Sequence, residues 1–357
     1  MKGFSRISIL LLVATLSIAV SCKKPGNEEN PFDKESLLKN ISDNLVAPSL
    51  WLLESIMGQL DSNFTTFETN PTEANLEVLR NSWKDAYLTW QTVKPFDLGP
   101  IRTYGFKAAT GTYPSDTVKI EGNISTGTYN LASAGNIDAV GLHSLDFLLH
   151  RSNALSFFIS DANYMTYTGD VIAKLKSETT TVANAWTSYA PTFKASTGTE
   201  TTSGFSELVN EFNRDYELAK VAKLGIPMGK QSLGIQMPEY FEARNSAISR
   251  DLLRQSILTL QQYYNGNAFA TGQSGVGFDD YLIHLDRAAL SETINSNFSA
   301  ILTKIDSFSG SMEEEMNSNP QGLDKLYTLM QGQVIWLKTD MTAAFGVLIT
   351  YQDNDGD

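Results

Sequence analysis

The chain has 357 residues, of which 27 are basic and 40 acidic, for a formal charge of −13 at neutral pH. No basic stripe interrupts that acidity, which disfavours nucleic acid as a partner, and the overall field favours cations and cationic partners instead. Cys22 is the only cysteine, so no disulfide can form within one chain.

At the N-terminus, Lys2 and Arg6 flank the start of an apolar run from Ile7 to Val20 that closes on Ser21-Cys22. This is the layout of an export signal, and it is too short for a membrane span, which needs about 20 apolar residues. Cys22 directly after Ala19-Val20-Ser21 resembles a relaxed bacterial lipobox, so residues 1–21 are expected to be removed and Cys22 to carry the lipid. The mature chain then has 25 basic against 40 acidic residues. Lys23 to Asn30 holds no apolar residue, and residues 22–35 read as a tether.

Helical periodicity follows. Leu45, Leu50, Leu53, Ile56, Met57 and Leu60 recur at spacings near three and four. Leu76, Leu79, Trp83, Tyr87 and Trp90 do so again, which predicts one long helix over 73–93, halted by Pro95, with both tryptophans as packing residues. Phe96-Asp97-Leu98-Gly99-Pro100 breaks the pattern. The Gly-, Thr-, Ser- and Asn-rich stretch to about Leu131, with Tyr113-Pro114 inside it, reads as an irregular excursion long enough to be functional. Helix resumes over 137–158, and further helices are expected at 161–192, 203–222, 239–265, 277–307 and 320–346. Strand-like alternation is nowhere sustained, so the fold class is all-α. Small polar patches at 195–204 and 266–277 punctuate the helices, and the first is taken as the boundary between two halves, 36–200 and 201–357.

Chemistry concentrates in Gly141-Leu142-His143-Ser144-Leu145-Asp146. On a helix, a spacing of three puts His143 and Asp146 on one face, where they can share a cation or bond each other. The remaining histidines, His150 and His284, read as surface or interhelical residues; His150 is on the same face but about two turns on, too far to share an ion with His143. The terminal Asp353-Asn354-Asp355-Gly356-Asp357 starts like a calcium loop but lacks the closing glutamate, so it reads as a turn. No phosphate cradle, nucleophile elbow or Cys/His cluster is visible.

The Gly-x-His-x-x-Asp stretch resembles the Gly-x-His-x-x-Glu signature of the imelysin family (M75 peptidase-like), with Asp146 where the signature has glutamate. Ordered blocks extend the resemblance: Ser82 to Tyr87 running to Gly99-Pro100, Tyr113-Pro114, Lys223-Leu224-Gly225-Ile226-Pro227, Glu239 to Ser246, and the Asp355-Gly356-Asp357 ending. The resemblance implies two packed helical bundles with the histidine motif near their junction. It also implies placement in the bacterial envelope, at the outer membrane or cell surface, and an association with iron acquisition. Peptidase activity belongs to the family name, but a zincin helix needs His-Glu-x-x-His, and the position four after His143 is Phe147.

Two readings of the motif stay open. In one, His143 and Asp146 ligate a divalent or ferric ion, completed by Glu239 and Glu242, with Gly141, Arg102, Arg244 and Ser246 as supporting or anion-pairing groups. In the other, His143 and Asp146 form a buried polar pair that organises the junction. The aspartate is shorter than glutamate by about 1.5 Å, large against metal-site tolerances of about 0.2 Å. The preferred function is a lipid-anchored, non-catalytic binding module for a metal or a small metal-bearing ligand. The alternatives are a metallopeptidase and a surface scaffold with a relic site.

Overall fold

The computed structural model describes residues 31–351, and from Asp33 onward these form one compact unit. Cys22, where lipidation is expected, most of the expected tether and the expected terminal turn lie outside the described residues. In chain order the helices begin with α1 (Lys34–Asn40), a π-helical segment (Ile41–Val46), α2 (Ala47–Thr69) and α3 (Glu73–Val93). Three short helices follow, α4 (Gly99–Thr103), α5 (Phe106–Gly111) and α6 (Thr117–Thr126), then α7 (Leu142–His150), α8 (Ala154–Ser160) and α9 (Ala162–Lys194). The second part holds α10 (Gly204–Lys220) with a π turn (Val221–Gly225), α11 (Ser249–Tyr264), α12 (Phe278–His284) and α13 (Ala288–Asp306). It closes with α14 (Met312–Ser318), α15 (Pro320–Val334), a second long π segment (Ile335–Met341) and α16 (Thr342–Phe345). No strand occurs among the described residues, and no helix there is long and apolar enough to cross a membrane.

The long helix predicted over 73–93 forms with those bounds. The Thr72 hydroxyl accepts the Asn75 N–H at its start, supplying one of the partners that a first turn lacks. Its stripe of Leu76, Leu79, Trp83, Tyr87 and Trp90 is wholly buried. α2 packs along α3 and α9, α11 lies against α3 and α13, and α13 against α15, so α3 touches helices from both sides of the 195–204 loop.

Elsewhere the chain departs from its periodicity for identifiable reasons. The expected excursion after Pro95 contains α4, α5 and α6, too short for a periodic signal to stand out. The helix expected over 137–158 begins at Leu142 and breaks at Asn153, whose φ is 61°. The one expected over 239–265 begins only at Ser249, because Ala243 (φ 51°) and Ala247 (φ 60°) adopt left-handed turns. Asp286 (φ 57°) likewise splits 277–307 into α12 and α13. α14 is an addition whose signal was in the sequence: Ser311 and Glu314 form a reciprocal capping box.

Candidate functional site

α7 is set in place before any chemistry is considered. Gly141 precedes it at φ 92°, and a Cβ there would sit 2.7 Å from the Thr110 carbonyl oxygen and 2.9 Å from that of Ala109. Only glycine allows the chain to take that conformation and pass so close to the end of α5. The Trp83 indole N–H donates to the Leu142 carbonyl at 2.8 Å, and the Trp83 ring lies 4.5 Å from that of His150. The aromatic stripe of α3 therefore also anchors the motif helix.

The His143 and Asp146 side chains face different partners. Asp146, fully buried, accepts the Asn245 backbone N–H at 3.0 Å and its side-chain amide at 2.9 Å on Oδ2, and the Ser246 N–H at 3.0 Å on Oδ1. These bonds bridge a hundred residues of sequence and hold the chain at 243–247 out of helix. His150 completes the surroundings, its Nδ1 3.8 Å from Oδ1 and 3.3 Å from the Asp146 carbonyl oxygen. His143 Nδ1 accepts the Ser115 N–H at 3.0 Å, with the Ser115 hydroxyl 2.6 Å away. The proton of the neutral ring is thereby placed on Nε2, which is buried without a hydrogen-bond partner. Burial pushes His143 below the usual histidine range against the pull of Asp146 and Glu242, and burial does the same to His150.

Beside this joint lies a cavity of about 260 Å³ whose walls include Lys94, Lys107, Tyr113, Asp215, Lys223 and Glu242. Lys94 reaches Asp215 Oδ2 at 2.6 Å and Lys107 reaches Oδ1 at 3.2 Å. Lys223, on the π turn, is bonded to Glu242, both being buried. Burial, together with the neighbouring Lys223 and Lys107, lowers Lys94 to about 8 despite the attraction of Asp215. Burial opposes ionisation of Asp215 as well, but Lys94 and Lys107 overcome it and hold the carboxyl at about 2. Tyr113 and Glu242 connect cavity and motif. The Tyr113 ring is 5.8 Å from the His143 ring, and burial with the nearby Glu242 charge raises the phenols of Tyr113 and Tyr87 well above the ordinary tyrosine value.

Residues 51–333 match the sequence profile of the imelysin family, peptidase M75. The chain belongs to the imelysin family. Iron-regulated protein A of Synechococcus elongatus is 33% identical over 79 residues, and that stretch is 22% of this imelysin and 22% of the relative's own length. An imelysin-like protein from Psychrobacter arcticum superposes with a TM-score of 0.75 at 13% identity, covering 90% of this chain and 99% of that one. A chain from Parabacteroides distasonis, assigned as an iron-regulated protein A precursor, gives 0.75 at 14% identity over 88% and 96%. At such identities these two likenesses establish the fold.

Within this imelysin the residues singled out from the sequence are only partly brought together. Gly141, His143, Asp146 and Ser246 meet at the joint, and Glu242 stands at its cavity side. Glu239 is exposed on the surface turn Pro238–Tyr240. Arg244 points away to form a two-pronged pair with Glu313, at 2.7 and 2.8 Å. Arg102 pairs with Glu207 and Glu211. As donors for a divalent or ferric ion these residues do not fit: His143 Nε2 carries a proton, both Asp146 oxygens accept N–H groups, and Glu242 is held by Lys223. Among the described residues no group of three or more His, Cys, Asp or Glu is arranged to hold a metal.

Sequence reasoning overlooked Ser115, Asn245 and the cavity's Lys94, Lys107 and Asp215. A signal for two of them existed. Lys94 follows Trp90 by four residues, in phase with the apolar stripe, and Asp215 lies between Phe212 and Tyr216 on the buried face of α10. A charged residue in phase with a core face calls for a buried partner.

Proposed function

We propose that this imelysin is a non-catalytic binding module of the bacterial envelope that serves iron acquisition, with its ligand in the cavity behind Tyr113 and Glu242. The lipid on Cys22 would hold it at the membrane, a reading supported by the Ile7–Val20 run ending at Ser21-Cys22. The iron connection draws on the relatives named as iron-regulated. The observation that carries the binding reading is the occupancy of Asp146 by three N–H donors beside a cavity whose lysines keep donors in reserve. The motif acts as the joint that sets the cavity walls, and iron would arrive within a small metal-bearing ligand. Peptidase chemistry would need an activated water and a general base beside an open metal position, which the donor set around His143 does not offer.

The test uses growth and hydrolysis together. A deletion strain of the source organism should regain growth under iron limitation with the wild-type protein, and should fail to regain it with Ala222→Phe, which fills the cavity without changing charge. Purified protein should leave unstructured peptides intact. Metal-dependent hydrolysis that disappears in Asp146→Asn would overturn the reading and restore the peptidase.

A further inference from the structure

The cavity's charge is opposite in sign to that of the molecule around it. The chain carries an excess of 13 negative charges, yet the cavity walls hold three ammonium groups, of Lys94, Lys107 and Lys223, against two carboxylates, of Asp215 and Glu242. Asp215 lies between Lys94 and Lys107 and Glu242 is bonded to Lys223, so one positive charge is left without a carboxylate of its own. The adjacent Glu211 is bonded to Arg102 and Arg214 and acts on Lys107 through space, so the cavity's own walls still hold one more ammonium than carboxylate. Each ammonium has three donors, and the bonds to Asp215 and Glu242 account for one apiece. Lys94 and Lys223 are buried, where an uncompensated charge interacts far more strongly than in water.

We propose that the cavity takes a small ligand bearing an oxyanion, a carboxylate or a phosphate, that seats on the donors of Lys94, Lys107 and Lys223. The inference rests on the cavity reading above and names the chemical class of its occupant. A carboxylate or phosphate would supply both the missing negative charge and acceptors for the remaining N–H groups, and such charge-assisted bonds are among the strongest available to a side chain. The lowered ionisation of Lys94 fits a site assembled for a countercharge, because two like charges and burial act against it until an anion arrives. A volume of about 260 Å³ falls just below the range of roughly 300–1,000 Å³ typical for drug-sized ligands, which restricts the occupant to a compact molecule.

Isothermal titration calorimetry with citrate and with inorganic phosphate, each in low-chloride buffer, tests the proposal. One saturable site per chain is expected for at least one of the two. Saturation by citrate alone assigns a carboxylate ligand, and saturation by phosphate alone assigns a phosphate. Lys94→Met should weaken binding at least tenfold, about 1.4 kcal/mol, with Lys107 still holding Asp215. Lys107→Met, at a half-buried position, is the second variant should the first fail to fold, and the same loss is expected. Absence of saturable binding by both anions, or wild-type affinity in the folded lysine variants, overturns the proposal. If anions fail to bind while Ala222→Phe still abolishes iron-limited growth, the anion class falls and the cavity reading stands. If anions bind through the lysines while Ala222→Phe grows normally, the proposed function falls and the site stands.

Discussion

The joint at His143 and Asp146 and the cavity at Lys94 and Lys223 are neighbours built from the same kind of material, buried polar side chains, yet their bonding capacity is distributed differently. At the joint, both oxygens of the Asp146 carboxylate are taken up by Asn245 and Ser246 and His143 Nδ1 by Ser115, which leaves the buried His143 Nε2 N–H without a partner. In the cavity, three ammoniums share two carboxylates and keep donors available. Groups saturated by their own backbone fix geometry, because removing any one leaves buried N–H groups without partners. Groups with capacity left over can receive something from outside. The histidine motif thus lies at the joint that holds the walls, and the charged groups lining the cavity come from other segments of the chain.

Three perturbations would break or sharpen that contrast. The largest effect is expected from Trp83→Ala, which empties a fully buried indole site and strips the Leu142 carbonyl of its donor. A loss on the order of 3–5 kcal/mol is expected in chemical denaturation; a loss under about 1 kcal/mol would mean that α7 is held by something other than the α3 stripe. Asp146→Asn comes next. It preserves shape but replaces one acceptor oxygen with an N–H donor facing N–H groups, and a cost of about 3 kcal/mol is expected, with anion affinity unchanged in the protein that remains folded. If stability is unaltered while affinity collapses, the joint is itself a ligand site and the contrast fails.

The smallest effects are those of pH, and they separate the two regions by window. Asp215 has its carboxyl held at about 2, below the ordinary 3.8, so its contribution is complete above pH 3.8 and is lost as pH falls toward 2. That contribution is about 2 kcal/mol by proton linkage. His143 and His150 also have lowered values, so the unfolded chain binds protons first, and stability falls as pH drops below the ordinary 6.5. Urea unfolding followed from pH 7.5 to 3 should show the histidine loss before the acidic one, and His143→Gln should remove part of the first step only. A single loss confined to low pH would show that burial does not disfavour protonation of the joint's imidazoles.

How much of this was legible in the sequence depended on how far each cause lay along the chain. The helix over Glu73–Val93 has local causes, namely a Thr72 cap, an apolar stripe and Pro95, and its bounds follow from them. The meeting of Gly141, His143 and Asp146 on one short helix was equally local. The segment 239–248 was misread as helix because what unwinds it, the Asp146 carboxylate, acts from about a hundred positions away. The cavity escaped for the same reason. Its charges come from the C-terminal end of α3, from α5, α10, the π turn and the 239–248 segment, and their juxtaposition is a property of packing rather than spacing. What each segment did show on its own was a charge in phase with a buried face, at Lys94 and at Asp215.

The π turn at Val221–Gly225 has a consequence for how this imelysin can change over evolutionary time. Such a turn holds more residues than an α-helical turn, and it sets the direction in which Lys223 leaves the end of α10 toward Glu242. Loss of a single residue there would restore ordinary winding with the chain beyond it nearly in phase, and would remove the wide turn that carries Lys223 toward its partner. A deletion of one position in 221–225 would therefore be absorbed by the segment itself, its cost falling on the Lys223–Glu242 pair rather than on the packing of the chain beyond.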